Sequence, residues 1–152
     1  MFNHAPPDYD CPFCRPVAPD ADPPVEILHS YPRVRVRLNP KWPPNNPGQA
    51  LVTPNDHFEN VYDLPVDFGN DLQLAIRETA LAMKTAFGCD GISTRQHNEP
   101  AGFQDVWHFH VHVTPRYPDD QLYGSEATRG SDEDMRRYAE LIRRAWPSAG
   151  DS

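Results

Sequence analysis

Three histidines alternate with apolar residues in one short stretch, where residues 106–113 read VWHFHVHV. A period of two is typical of a β-strand, in which residues i, i+2 and i+4 face the same side of the sheet. The pattern therefore predicts a strand over residues 107–114 that carries the imidazoles of His108, His110 and His112 on one surface. Imidazole titrates near neutral pH and serves as a base, a nucleophile or a metal ligand, so such a surface indicates chemistry.

Three interpretations of this surface compete: tolerated polar residues on an exposed strand, one metal ion bound by all three rings, and nucleophilic chemistry on a phosphate. Residues four apart on a strand are separated by about 13 Å. Zn–N bonds are only about 2.0–2.1 Å long, so His108 and His112 reach one ion with difficulty. A neutral imidazole attacks phosphorus while its neighbours donate hydrogen bonds to the oxygens, and this interpretation explains the alternation better.

The longer segment over residues 98–116, NEPAGFQDVWHFHVHVTPR, resembles the signature of the histidine triad (HIT) family. The resemblance extends over residues 8–116. It implies an enzyme that acts on the α-phosphate of nucleotide conjugates, such as dinucleoside polyphosphates or nucleoside phosphoramidates, through a nucleotidyl-histidine intermediate. It also implies a purine nucleotide as the bound partner and a homodimer. A nucleotide-binding or scaffolding protein with little turnover is the alternative, and a hydrolase with a catalytic zinc at the triad is a third possibility.

The same resemblance assigns roles to individual residues. His110 is implied as the nucleophile, with its other ring nitrogen donating to a backbone carbonyl. His112 and the Asn98 side chain are implied as ligands of the phosphate oxygens. Asn39, which follows a predicted strand, matches the position that binds the ribose hydroxyls, although a simple turn residue before Pro40 is a serious competitor.

Two residues just before the triad are also candidates for the site. Gln104 and Asp105 match positions that contact the scissile or leaving-group oxygen in the family. Several relatives carry Ser or Thr at the position of Asp105, and an aspartate donates a hydrogen bond only when it is protonated. Phe103 interrupts the more usual Gly-Gln step, so both departures are expected to affect the preference for a leaving group.

A second motif, CPFC over residues 11–14, indicates a metal site. Two thiolates at this spacing can chelate one zinc ion from a tight turn, whereas a redox pair or two incidental cysteines are the competing interpretations. The resemblance implies that His57 and His108 complete a tetrahedral structural zinc site with Cys11 and Cys14. His108 would then turn to the metal and leave His110 and His112 for phosphate. The other candidate ligands are His4, His29 and His97.

Size and charge limit the classes of function. The chain has 152 residues, 18 prolines and a formal net charge of -8, which argues against a broad surface for nucleic acid or anionic lipid. No apolar run approaches the roughly 18 residues of a membrane span, and no signal peptide is evident, so we expect a cytoplasmic protein without membrane partners. We expect one domain over residues 1–152, with a proline-rich segment over 1–24 and a C-terminal loop and helix over 117–152.

The remaining pattern predicts the elements that position these residues. Strands are expected over residues 25–29, 34–38, 49–53 and 91–96, in addition to the triad strand. A long helix is expected over residues 68–87 with Gly88 as its cap, and a last helix over 132–146 with Ser131 as its cap. This order predicts an α+β domain with an antiparallel sheet, a long helix and a C-terminal helix, as the HIT resemblance also implies.

Overall fold

A computed structural model describes residues 2–21 and 24–148 of the chain. Five strands form one antiparallel sheet, and two very short strands form a separate ribbon. The elements in chain order are β1 (Ile27–Ser30), β2 (Val34–Leu38), β3 (Lys41–Trp42), β4 (Ala50–Pro54), α1 (Gly69–Phe87), β5 (Gly91–Gln96), β6 (Val111–Arg116), β7 (Thr128–Arg129) and α2 (Asp132–Arg144). The spatial order in the large sheet is β1-β2-β4-β6-β5, and β3 pairs with β7.

The predicted α+β architecture is confirmed, and both helices begin and end close to the predicted residues. A 3₁₀ turn over Val66–Phe68 leads into α1, and Gly88 ends the helix in the left-handed conformation at φ +60°. The Ser131 side chain caps α2 by accepting a hydrogen bond from the Asp134 backbone N–H at 3.0 Å. Neither helix in the described ranges is long and apolar enough to cross a bilayer. The β3–β7 ribbon was not predicted, because two-residue strands carry no readable periodicity.

One face of the sheet is the hydrophobic core. α1 lies against β2, β4 and β6, and α2 packs on α1 and β1. Val36, Val52 and Val113 point toward the helices and have no exposed surface. Alternation along the strands sends the intervening residues to the opposite face, which is free to carry polar groups. The core therefore fixes which side chains can meet on the other side of the sheet.

The predicted triad strand over residues 107–114 is wrong at its start, because β6 begins only at Val111. The Phe109 N–H donates to the Phe58 carbonyl, and the His108 N–H turns back to the Val106 carbonyl. The β4–β6 ladder has Val52 opposite Val111, so continuing it would require Pro54 to pair, and proline has no N–H to donate. The three rings therefore do not share one strand surface, and His108 is released to another site.

Gly48 shows how closely the two helices approach the loop before β4. Its φ is +81°, and a Cβ at this position would lie 2.7 Å from Cζ of Phe87. We expect Gly48→Ala to lower the free energy of unfolding by about 1–3 kcal/mol, because the left-handed backbone and the contact are both unfavourable. Gly69→Ala is the matched control, since a Cβ there would meet no atom of the surrounding described residues within 4 Å. Urea denaturation of both variants checks this, and equal stability of the two would contradict it.

Candidate active site and metal centre

A row of side chains crosses the sheet on the face opposite the helices. The register pairs Arg37 with Leu51, Leu51 with His112, and His112 with Arg95. Residues directly opposite each other on antiparallel strands point to the same side, and adjacent strands lie about 4.8 Å apart. Leu51, His112 and Arg95 together form the floor of a cavity of about 530 Å³. The cavity also receives His110 from the segment just before β6.

Backbone geometry fixes the tautomer of the His110 ring. Its Nδ1 lies 2.7 Å from the His108 carbonyl oxygen, which can only accept, so Nδ1 carries the hydrogen. The lone pair of the neutral ring is then on Nε2, and the cavity lies on that side of the ring. The ring of Phe13 meets His110 edge-on at 5.4 Å between centroids and restrains its orientation. The arrangement presents one imidazole nitrogen with a free lone pair to a bound molecule.

His112 stands beside this nitrogen as a neutral group. Its ring centroid lies 5.0 Å from that of His110. Burial, with the neighbouring His110 ring, lowers the pKa of His112 to about 3, so the ring is uncharged at neutral pH. Its buried Nδ1 has no hydrogen-bond partner among the described residues. A neutral, under-satisfied ring next to His110 can donate one hydrogen bond to a ligand.

Asp105 and Asn39, two further predicted site residues, also line the cavity. Asp105 is 79% exposed at its mouth, and Oδ1 lies 3.6 Å from His110 Nε2. The His110 ring in its protonated form lowers the pKa of this carboxyl below its usual value, so Asp105 is ionised at neutral pH and accepts rather than donates hydrogen bonds. The Asn39 side-chain oxygen accepts from the Lys41 N–H at 3.2 Å, which leaves its amide hydrogens available.

Gln104 and Asn98 are not among the residues that line the cavity. The Gln104 amide accepts from the Glu99 N–H and donates to the Glu59 and Val106 carbonyls, which ties together the loops before the triad. The Asn98 amide pairs with the Gln96 side chain and accepts from the Val61 N–H. Their roles as nucleotide ligands therefore stay predictions.

Phe103, the residue that interrupts the expected Gly-Gln step, is accommodated without disturbing its neighbours. It adopts a left-handed conformation at φ +68° directly after a 3₁₀ turn over Pro100–Gly102. Its side chain is 81% exposed. The extra residue is therefore looped outward, and Gln104 beside it stays buried.

The four predicted metal ligands come together next to the cavity. One ligand atom from each of Cys11, Cys14, His57 and His108 lies within 4.8 Å of the others. Cys14 Sγ is 3.3 Å from His57 Nδ1 and 3.5 Å from His108 Nδ1. Tetrahedral zinc with Zn–S near 2.3 Å and Zn–N near 2.0 Å requires separations of roughly 3.3–3.8 Å between ligand atoms. The cluster therefore has the donor set and nearly the dimensions of a closed zinc site.

Protonation states support the same conclusion. His108 Nε2 lies 3.0 Å from the Pro54 carbonyl oxygen, so that nitrogen carries the hydrogen and Nδ1 is left as the ligand atom. Burial lowers the pKa of His108 to about 4, which keeps the ring neutral, as metal binding requires. Burial and the nearby Cys11 raise the pKa of the Cys14 thiol to about 11, so a cation is needed to hold Cys14 as a thiolate.

Comparison with known proteins agrees with this geometry. The family model for the HIT domain matches residues 25–119, which is more than half of the chain. The chain belongs to the HIT family. An uncharacterized HIT-like protein of Saccharolobus solfataricus is 31% identical over 119 residues, covering 78% of this chain and 84% of that protein. The HIT protein of Bacillus subtilis is 32% identical over 78 residues, and the match spans only 54% of its length.

Solved structures share the same HIT fold. A zinc-bound histidine triad family protein of Mycobacterium smegmatis superposes with a TM-score of 0.73 at 27% identity, covering 90% of this chain and 92% of that one. Among relatives named for an activity, the adenosine 5′-monophosphoramidase of Saccharomyces cerevisiae is 28% identical over 92 residues, which cover 60% of this chain and 52% of that enzyme. The adenylylsulfatase of Arabidopsis thaliana is 27% identical over 86 residues, which cover 57% and 44%. The family therefore includes hydrolases of nucleotide conjugates.

Some residues of this HIT site were not anticipated from the sequence. Phe13, between the two cysteines, forms a cavity wall, and Arg37 holds it by donating to its carbonyl at 3.2 Å. Arg95 also lines the cavity, beside His112. Its position on the strand that precedes the triad does not identify it by itself, because its register with His112 depends on tertiary pairing. Tyr123 enters from the loop after β6, for which no sequence pattern gave a position.

Asp120 anchors the loop that brings Tyr123 to the HIT site. Its carboxylate accepts from Arg116 Nε at 2.7 Å, from Asn46 Nδ2 at 2.7 Å and from the Leu122 N–H at 3.2 Å. These hydrogen bonds, with the one from Arg116 as the largest contribution, hold the pKa of Asp120 well below its usual range. The ionised carboxylate therefore stabilises the fold at neutral pH, and this contribution is lost as the pH falls below about 4, the value for an unfolded chain.

We expect Asp120→Asn to lower the free energy of unfolding at neutral pH, and the difference from wild type to shrink as the pH falls from about 5 to about 2. Urea denaturation across this range measures both quantities. Asp119→Asn, the same substitution at the adjacent exposed residue, is the control and should behave like wild type. A difference in the free energy of unfolding between wild type and Asp120→Asn that does not change with pH would contradict this role of the Asp120 carboxylate.

Proposed function

We propose that this HIT protein is a nucleotide hydrolase or nucleotidyl transferase that acts on the α-phosphate of nucleotide conjugates through a nucleotidyl-histidine intermediate. The observation that carries the proposal is the fixed tautomer of His110. The His108 carbonyl holds the hydrogen on Nδ1, and Nε2 faces a cavity that also contains the neutral ring of His112. This is the arrangement that nucleophilic catalysis by an imidazole requires.

The reaction proceeds in two displacements. In the first, the Nε2 lone pair of His110 forms a bond to the α-phosphorus, and the bond from phosphorus to the leaving group breaks with its electron pair going to that group. In the second, a water or another acceptor attacks the same phosphorus and the N–P bond breaks, which returns the neutral ring and releases the nucleotide. Asp105 lies close to Nε2 and is ionised, so it can accept the proton of the attacking water.

The remaining cavity residues bind and orient the nucleotide. His112 donates to the nonbridging phosphate oxygens and offsets their developing charge. Asn39 offers its amide to the ribose hydroxyls, and the apolar side chains of Phe13 and Leu51 flank a purine base. Asn98 and Gln104 do not line the cavity, and we propose that they reach the phosphate only through rearrangement of their present hydrogen bonds.

We propose that Cys11, Cys14, His57 and His108 hold a structural zinc ion. All four ligand positions are filled by protein atoms, so the metal has no open position for substrate and supplies rigidity. A zinc–thiolate site requires reduced cysteines, which fits a reducing compartment such as the cytoplasm. His108 links this centre to the reaction, because its ring is a ligand and its carbonyl holds His110.

We also propose that the protein is a homodimer. β5 is the last strand of the sheet, so its outer edge offers backbone groups to a second copy. The β5 side chains are half-buried at most, which leaves the edge accessible. Light scattering coupled to gel filtration checks the assembly, and a monomer at micromolar concentration would contradict it.

Trapping the covalent intermediate tests the proposed function. The purified protein is mixed with adenosine 5′-phosphoramidate, quenched in mild alkali and examined by intact mass. We expect an adenylyl adduct in wild type and none in His110→Ala. Suppose instead that wild type binds AMP but forms no adduct and releases no AMP from any adenine nucleotide conjugate. The proposed enzyme would then be wrong, and a nucleotide-binding protein would be the better description.

A further inference from the structure

Arg95 lines the cavity and has no role in the proposed reaction. Its side chain is half-buried and lines the cavity, and its Nε is buried without a hydrogen-bond partner. Across residues 2–21 and 24–148 it makes no ion pair, although the chain has 22 acidic and 14 basic residues. Other arginines in this acidic protein do have carboxylate partners, including Arg33, Arg116 and Arg143. A partly desolvated guanidinium without an anion is unfavourable unless a ligand supplies one.

The ring of Tyr123 contacts Arg95 and leaves its charge available. Its guanidinium carbon lies 5.2 Å from the ring centroid of Tyr123, which contributes a cation–π contact but no hydrogen-bond acceptor for the guanidinium. Arg116 stands at the same distance from that ring, but its guanidinium is bound to Asp120 at 2.7 and 2.9 Å. Arg95 is therefore the arginine at this end of the cavity that is free to bind an anion.

The register of the sheet shows which part of a bound nucleotide Arg95 would meet. His112 on β6 has Leu51 of β4 on one side and Arg95 of β5 on the other. Asn39, at the end of β2, lies on the Leu51 side, where the proposed function seats the nucleoside. The α-phosphate sits between, at His110 and His112. The group attached on the far side of phosphorus therefore extends toward β5 and Arg95.

We propose that Arg95 binds the leaving group, and that the substrates are nucleotides joined through a phosphoanhydride bond to an anionic group such as a phosphate chain. This inference rests on the proposed function and narrows its substrate class. The planar guanidinium carries several donors and binds phosphate oxygens in two-pronged fashion, which suits a phosphate better than an amine.

The nature of Asp105 agrees with an anionic leaving group. An amine must gain a proton as it leaves phosphorus, and because the ionised Asp105 carboxylate has none to give, the departure of ammonia from a phosphoramidate relies on a proton from water. A phosphate chain leaves as a stable anion when the P–O bond breaks with its electron pair, and it requires no proton. Arg95 then holds the negative charge that develops on the departing oxygen.

Paired substrates test the inference in the full-length protein. Diadenosine triphosphate releases ADP, an anion, and adenosine 5′-phosphoramidate releases ammonia, with the same adenylyl group transferred to His110. We expect Arg95→Gln to lower kcat/KM for diadenosine triphosphate by about tenfold or more. The same substitution should change kcat/KM for the phosphoramidate by less than about twofold. Arg95→Lys, which keeps the charge but not the planar donor geometry, should recover only part of the loss. Arg77→Gln on the exposed surface of α1 is the matched control and should behave like wild type.

Each result has a separate meaning. Equal losses on both substrates, or no loss on either, would overturn the role of Arg95. If wild type turns over the phosphoramidate but not diadenosine triphosphate, the inference of an anionic leaving group is wrong, whereas the proposed function is still supported. No adduct and no turnover with either substrate would overturn the proposed function itself. We also expect inorganic pyrophosphate to inhibit wild type competitively and to inhibit Arg95→Lys more weakly. This measurement does not depend on the folding of Arg95→Gln.

Discussion

Replacing His110 by asparagine is expected to lower the turnover of nucleotide conjugates by at least about 10³-fold, because the variant has no nucleophile. The asparagine amide can still donate to the His108 carbonyl, which accepts from His110 Nδ1 at 2.7 Å in the wild-type protein. The local backbone is therefore expected to keep its conformation. Steady-state release of AMP measures the loss, and isothermal titration with AMP is expected to give an affinity close to that of wild type.

His29→Asn is the matched control for this substitution. His29 lies on β1 and stacks on Trp146 with 4.8 Å between ring centroids, outside the cavity. The same change of residue type there should leave turnover near the wild-type value. Turnover by His110→Asn close to that of wild type, with AMP binding intact, would exclude His110 as the nucleophile and direct attention to activated water.

Removal of zinc is expected to be the most destabilising treatment of this protein. In a protein purified with one zinc ion per chain, chelation should lower the melting temperature by roughly 10 °C or more, since structural zinc sites contribute several kcal/mol to folding. The loss of order should spread to the cavity, because Phe13 lies between Cys11 and Cys14 and forms one of its walls. Differential scanning fluorimetry with a parallel zinc assay measures the first effect, and nucleotide affinity measures the second.

The cysteine variants separate metal loss from loss of a thiol. Cys11→Ser should bind less zinc and melt early without any chelator. Cys89→Ser removes a buried thiol that is not one of the four clustered ligands, and it should retain zinc and respond to chelation as wild type does. A chelated protein that is free of zinc yet melts with wild type would show that the cluster does not support the fold.

The sequence by itself determined the fold class and most of the elements, because their signals are local. The apolar spacing over α1, Gly88 at its end and Ser131 before α2 each express a preference of a few neighbouring residues. The CPFC motif and the family resemblance also named four side chains whose ligand atoms the fold brings within 4.8 Å of one another. Their roles as zinc ligands stay predictions until zinc is measured.

The family resemblance already implied how the three histidines are divided, but the physical cause of that division lies in the tertiary structure. An alternating pattern predicts a continuous strand, but the partner strand ends at Pro54, which has no N–H to extend the ladder past Val111. His108 therefore turns to the cysteines, while its carbonyl orients His110 toward the cavity. The place of Arg95 in the cavity was out of reach of the sequence. Its neighbour across the strands is His112, and such pairing depends on contacts between distant segments that no local preference encodes.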